Sequence, residues 1–204
     1  RLESPIVTVR VGQGSGAKDF RVPEDVLCAC STWFTNALKA DRFMEGQAKL
    51  IRLPEDSVPV FEAFVAFAYE GHLSFSMHLL TPAARDESFR YTLDIWNFGE
   101  KYMLPYLQDA ALTSGCIFLN DNYLAFDMLA GCFESAATET SPFRTIIADY
   151  AVHRMSNEGE SAGIEVERHL AGCEGFLRSF HASQKASSSL PRREFPRYRR
   201  PTRA

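Results

Sequence analysis

The run GQGSGAK, from Gly12 to Lys18, follows an alternating apolar segment. Glycine-rich turns can cradle a phosphate when they open a helix whose amides face the anion. Here Lys18 leads instead into DFRV, Asp19 to Val22, which alternates like a second strand. The Gly-x-x-x-x-Gly-Lys spacing is also absent. The run is therefore predicted to be the tight turn of a hairpin, where glycine is what the backbone demands. The histidines, His72, His78, His153, His169 and His181, form no pair at metal-ligand spacing. The cysteines, Cys28, Cys30, Cys116, Cys132 and Cys173, are odd in number and scattered, unlike a disulfide framework or a zinc site. They are expected to be buried free thiols in a reducing compartment. No Gly-x-Ser-x-Gly elbow and no cysteine with a nucleophile's local signature occurs. The sequence thus names no catalytic residue, no metal ligand and no cofactor, and the expectation is a chain that is not an enzyme.

The elements around these residues have ordinary globular composition. Of 204 residues, 46% are hydrophobic and 24% charged, enough for one domain with an extension. No run of 18 uncharged apolar residues exists, so no membrane span is expected. The net charge of -4 conceals a division. Residues 1–184 carry 15 Lys+Arg against 25 Asp+Glu, or -10, while residues 185–204 carry seven basic residues against Glu194, or +6. A folded nucleic-acid binder would put its positive charge on the domain, so nucleic acid is not the expected partner. The basic end, PRREFPRYRRPTR, has no hydrophobic period, and residues 183–204 are predicted to be a disordered basic tail.

Hydrophobic periodicity places the elements. IVTVRVG, Ile6 to Gly12, alternates with β-branched residues and predicts a strand; KDFRV and KLIRLP, Lys49 to Pro54, predict two more. PEDVLCACSTWFTNALK predicts one helix with Pro23 at its start and Glu24 and Asp25 in its first turn. A second helix, capped by Asp56 or Ser57 and stopped by Gly71, is apolar on nearly every side and must be enclosed. A polar stretch, Thr81 to Arg90, is read as separating it from a helix whose face is Tyr91, Ile95, Phe98 and Tyr102. Pro105 ends that helix, and four more are predicted over 107–119, 122–133, 142–155 and 164–180.

The order and spacing of these elements resemble the BTB/POZ domain over roughly residues 4–118. The family's Leu-x-x-x-Ser-x-x-Phe helix is matched by Leu27, Ser31 and Phe34, and its Leu-Pro-acid strand end by Leu53, Pro54 and Glu55. Its Phe-x-x-Phe-x-x-Tyr-x-Gly helix looks like Phe61 to Gly71. Its Lys-Tyr-x-hydrophobic-Pro turn looks like Lys101, Tyr102, Leu104 and Pro105, with Gly99 where the family has a small residue. The overall character is similar to the BTB proteins of filamentous fungi. The resemblance implies an α+β fold: a small sheet packed on a helical cluster over 4–118, then a C-terminal helical extension over 119–182, then the tail.

The resemblance also implies a protein–protein interaction module, intracellular and either cytoplasmic or nuclear. Members that recruit the cullin scaffold of a ubiquitin ligase carry a hydrophobic-x-Glu pattern between the first helices and the next strand. Phe43, Met44 and Glu45 fit that pattern and form the partner-binding candidate, with the helices after the domain extending the cullin surface. The alternative is a scaffold or transcription-associated module without a ubiquitin role. Pro5 replaces an Asp, and Pro23 and Glu24 replace a His-Lys pair, that dimeric members place at their interface. The few residues before the first strand are also too short for the helix that such members exchange, which weighs against a homodimer.

Overall fold

The computed structural model describes residues 4–39, 48–73, 82–136 and 138–189. It divides into two compact units: residues 1–79 with 88–114, and residues 80–87 with 115–204.

The first unit is built on a three-stranded sheet in the order β2-β1-β3, with β1 at Ile6–Val11, β2 at Lys18–Pro23 and β3 at Leu50–Leu53. β1 pairs with β2 antiparallel and with β3 parallel. The glycine run does make the predicted turn, as a 3-10 segment over Gly14–Gly16. Gly12 and Gly14 both take positive φ, +83° and +59°, where a side chain would be strained. Lys18 opens β2 and sends its ammonium to Glu62, 2.6 Å away.

Strand alternation buries Val7, Val9 and Val11 together with Val22 on one face of the sheet. That face receives α3, Val58–Glu70, through Phe20 of β2, whose ring lies 4.8 Å from Phe61. Phe61 and Phe64 are fully buried and Gly71 closes the helix at φ +75°. Ser57 occupies the N-cap position without a side-chain hydrogen bond, and Asp56 is engaged elsewhere. The aromatic core continues from Phe64 to Phe34, stacked at 5.8 Å, and to Phe98 of the next helix and Tyr102 just past its end. Each such pair contributes about 0.5–1.5 kcal/mol beyond simple burial.

Three predicted elements are revised, two of them before Lys101. The single helix expected after Pro23 is two: α1, Glu24–Cys30, and α2, Thr32–Ala37. Ser31 stands between them in extended backbone, φ -146°, and restarts the chain as an N-cap. The polar stretch Thr81 to Arg90 is no separator, because α4 already begins at Pro82 and runs to Lys101. Ala84, Arg85 and Glu87 are good helix formers, and Phe89 buries itself completely within that segment.

Further along lie α5, Pro105–Asp121, α6, Phe126–Ser135, and α7, Pro142–Glu158. In the second unit, α7 starts under a Ser141 cap and buries Phe143, Ile147 and Ala151. Arg154, only 6% exposed, ties this unit together. Its guanidinium donates to the Leu124 carbonyl at 3.1 Å, to Tyr150 Oη at 3.2 Å, to Tyr123 Oη and to Glu158. It also lies 3.6 Å over the Tyr123 ring. The helix expected over 164–180 is again two: α8, Glu160–His169, and α9, Phe176–Ser189. Gly175, at φ +81°, turns the chain between them. Residues 183–189, expected in the disordered tail, are therefore helical, and Ser183 is buried. Val166, Leu170, Cys173 and Phe180 are buried as a packing stripe should be, whereas Leu177 is half exposed.

Candidate functional site

Phe43, Met44 and Glu45 fall within residues 40–47, outside the described residues. In the sequence, that segment joins α2 to β3, and α2 starts from its N-cap, Ser31. The anchor is Ser31. Its hydroxyl accepts from the amides of Trp33 and Phe34, at 3.0 and 3.2 Å, which satisfies donors that a helix start leaves open. The same hydroxyl donates to the Tyr102 carbonyl at 2.6 Å. The start of α2 is thereby pinned to the end of α4.

Tyr102 is 3% exposed and its ring fits between Trp33, Phe34 and Phe98, with centroids 4.6–5.8 Å away. The phenol donates to Asp56 Oδ2 at 2.6 Å, and the Lys101 ammonium reaches the same carboxylate at 3.0 Å. Burial, followed by the hydrogen bond and charge of Asp56, pushes the Tyr102 phenol far above its ordinary value. Asp56 and Lys101 also border an open cleft of about 300 Å³ that includes Asp94 and Asn97. Burial raises the Asp94 carboxyl, opposed by the charge of Arg90.

After Lys101 the chain reverses sharply. Met103 takes φ +55°, Leu104 N donates to the Gly99 carbonyl at 2.8 Å, and Pro105 opens α5. Gly99 leaves room for Gln108: a Cβ there would lie 2.6 Å from Gln108 Cγ and 3.4 Å from the Leu104 carbonyl oxygen. The reversal turns Leu104 inward, 1% exposed, and leaves Met103 and Tyr106 outward at 57% and 76%. Thr32 Oγ1 donates to Met103 Sδ at 3.6 Å, joining the first residue of α2 to this apolar pair. Methionine and tyrosine presented on a fixed turn are suited to a partner's apolar pocket, not to bond-making chemistry.

The expectation of buried thiols holds for Cys132 and Cys173, whereas Cys28 and Cys30 are partly buried and Cys116 is exposed. Partial desolvation pushes the thiols of Cys28, Cys30, Cys116 and Cys173 up, away from the thiolate form. His72 is exposed, its Nδ1 3.1 Å from the Glu70 carbonyl. Among the described residues, no three His, Cys, Asp or Glu side chains gather as a metal site would require. Among them, too, no helix is long and apolar enough to cross a membrane. Met103 and Tyr106 carried no sequence signal beyond Pro105; the turn around them was legible, their exposure was not.

In comparison with known families, residues 7–110 fit the model described as BTB/POZ domain. No curated protein matches the chain.

Proposed function

The chain belongs to the BTB/POZ domain family, a family of non-catalytic protein-interaction modules, and we propose that it recruits a cullin-type scaffold of a ubiquitin ligase. In this reading Phe43 docks in an apolar pocket of the scaffold, with Met44 and Glu45 beside it, and the exposed Met103 and Tyr106 extend the contact. Family membership carries the reading, and the exposed turn at Met103 supports it. The partner-facing turn is fixed before any partner arrives, because Ser31, Asp56 and Lys101 hold its base. A few apolar anchors of this kind supply most of the affinity of an interface of ordinary size.

The test is size-exclusion chromatography with light scattering on the full chain, with and without the N-terminal region of a cullin. The expected result is a peak at the summed mass, lost on Phe43→Ala and weakened by Tyr106→Ala, with circular dichroism unchanged in both. A peak that never shifts, or one indifferent to Phe43→Ala and Glu45→Ala, overturns the cullin reading. A module serving as a scaffold without a ubiquitin role would give no shift with the cullin.

A further inference from the structure

The sheet has a second face, and its chemistry runs against that of the body. Register places Arg10 of β1 directly between Asp19 of β2 and Arg52 of β3. One step along, Arg21 and Leu50 flank Thr8, and at the end of the sheet Pro23 lies beside Ile6. These side chains point away from Val7, Val9 and Val11, and none is buried. Arg10, Arg21 and Arg52 are all exposed, while Asp19 is the only acid among these register partners. Asp19 is already engaged by Arg10, at 3.1 Å. Among the described residues no ion pair engages Arg21 or Arg52. Adjacent strands lie about 4.8 Å apart, and like charges set directly opposite each other on a sheet are destabilising. The arrangement of Arg10 beside Arg52 therefore costs the fold something, on a body whose residues 1–184 carry -10.

We propose that this face docks a short acidic segment of a partner protein. Carboxylates of the segment sit over Arg21 and Arg52, where charge complementarity is strongest, and an apolar side chain settles on Ile6, Pro23 and Leu50. Ile6, at 44% exposure, leaves that end open for it. Arginine suits such a role because its planar fork grips a carboxylate in two places at once. A nucleic acid fits less well. Sheets that bind single strands stack bases on outward aromatic rings, and the aromatic residue of this sheet, Phe20, faces inward onto Phe61. The acidic body also repels a long polyanion that must run beyond the sheet, whereas a short peptide stays within it. This surface is independent of the cullin reading.

The experiment titrates the full chain into a fluorescein-labelled peptide of aspartate and glutamate with leucine at one end, read by anisotropy at low and physiological salt. Binding that weakens with salt is expected, and Arg21→Glu with Arg52→Glu should raise Kd by about tenfold or more. Arg178→Glu, an exposed arginine of α9, should leave Kd unchanged. Arg52→Gln alone serves if the double variant fails to give the wild-type circular dichroism spectrum, and a smaller loss is then expected. The proposal is overturned by no binding to the wild type, by equal affinity in the sheet variants, or by an equal loss in Arg178→Glu. A single-stranded oligonucleotide that displaces the peptide at lower concentration than unlabelled peptide also overturns it. Phe43→Ala should leave the titration unchanged whatever becomes of the cullin reading.

Discussion

The Ser31 hydroxyl donates to the carbonyl of Tyr102, 71 residues away, while accepting from two amides at the start of its own helix. One oxygen thus both restarts the chain after α1 and fastens it to the end of α4. Ser31 is 2% exposed, so water cannot replace what is lost when it is removed.

Ser31→Ala removes an N-cap and leaves a buried carbonyl unpaired. The expected loss is about 1–3 kcal/mol, read as a lower urea midpoint with an unchanged slope. Thr at the same position should recover part of it. A midpoint equal to wild type would show that the oxygen is dispensable.

The Tyr102 phenol gives a pH signature. Burial and Asp56 raise its pKa, so the folded chain holds this proton more tightly than the unfolded chain. Its contribution is complete below the unfolded value of about 10 and is lost as pH climbs above that. Tyr102→Phe should be less stable at neutral pH and show a shallower loss between about pH 10 and 12. Parallel stability curves for the two proteins would contradict this.

At Gly99 two effects of opposite sign compete. Alanine improves helix propensity by up to about 1 kcal/mol, but its Cβ meets Gln108 Cγ at 2.6 Å. Gly99→Ala alone should destabilise by about 1–3 kcal/mol. Made on a Gln108→Ala background, the same change should cost much less or nothing. The four melting curves of that cycle decide it; equal costs in both backgrounds would place the strain at the Leu104 carbonyl instead.

In the second unit, Arg154→Ala removes the cation beside Glu158 and frees the Leu124 carbonyl, at an expected cost of about 1–3 kcal/mol. Lysine should not restore it, since an ammonium cannot span Leu124, Tyr150 and Glu158 at once. Amide exchange at Leu124, whose N–H donates to Tyr150 Oη at 2.9 Å, should quicken in both variants.

The sheet face makes a prediction about stability alone. Arg52→Thr relieves the side-by-side arginines and favours a strand, so the chain should gain about 0.2–1 kcal/mol. Arg10→Thr relieves them too but forfeits the pair with Asp19, so its gain should be smaller. Chemical denaturation of both variants makes the comparison.

Alternation and spacing made much of the first unit readable. The three strands begin and end within a residue or two of where β-branched residues alternate, and Gly71 and Pro105 mark real boundaries. The misreadings share a cause. Val166, Leu170, Cys173, Leu177 and Phe180 keep a helical period straight across a turn, so periodicity could not register the break that Gly175 makes. Ser31 likewise sits within a run of helix-compatible residues, and its dual hydrogen bonding depends on Tyr102, which is remote in sequence. α4 was missed at its start because the segment before Phe89 carries no large apolar residue to mark a helical period. Arg10, Arg21 and Arg52 could have been grouped from alternation, yet only the register of β1 with both neighbours puts them on adjacent strands. Phe43, Met44 and Glu45 rest on sequence alone.

Met103 stands on a turn whose base is held by Ser31, Tyr102, Asp56 and Lys101. A ligand meeting that turn finds the side chain's base already oriented, so association should follow a single exponential whose rate rises linearly with ligand concentration, without a plateau. Substitutions at Tyr106 should then shorten the lifetime of the complex and leave the rate of encounter almost untouched.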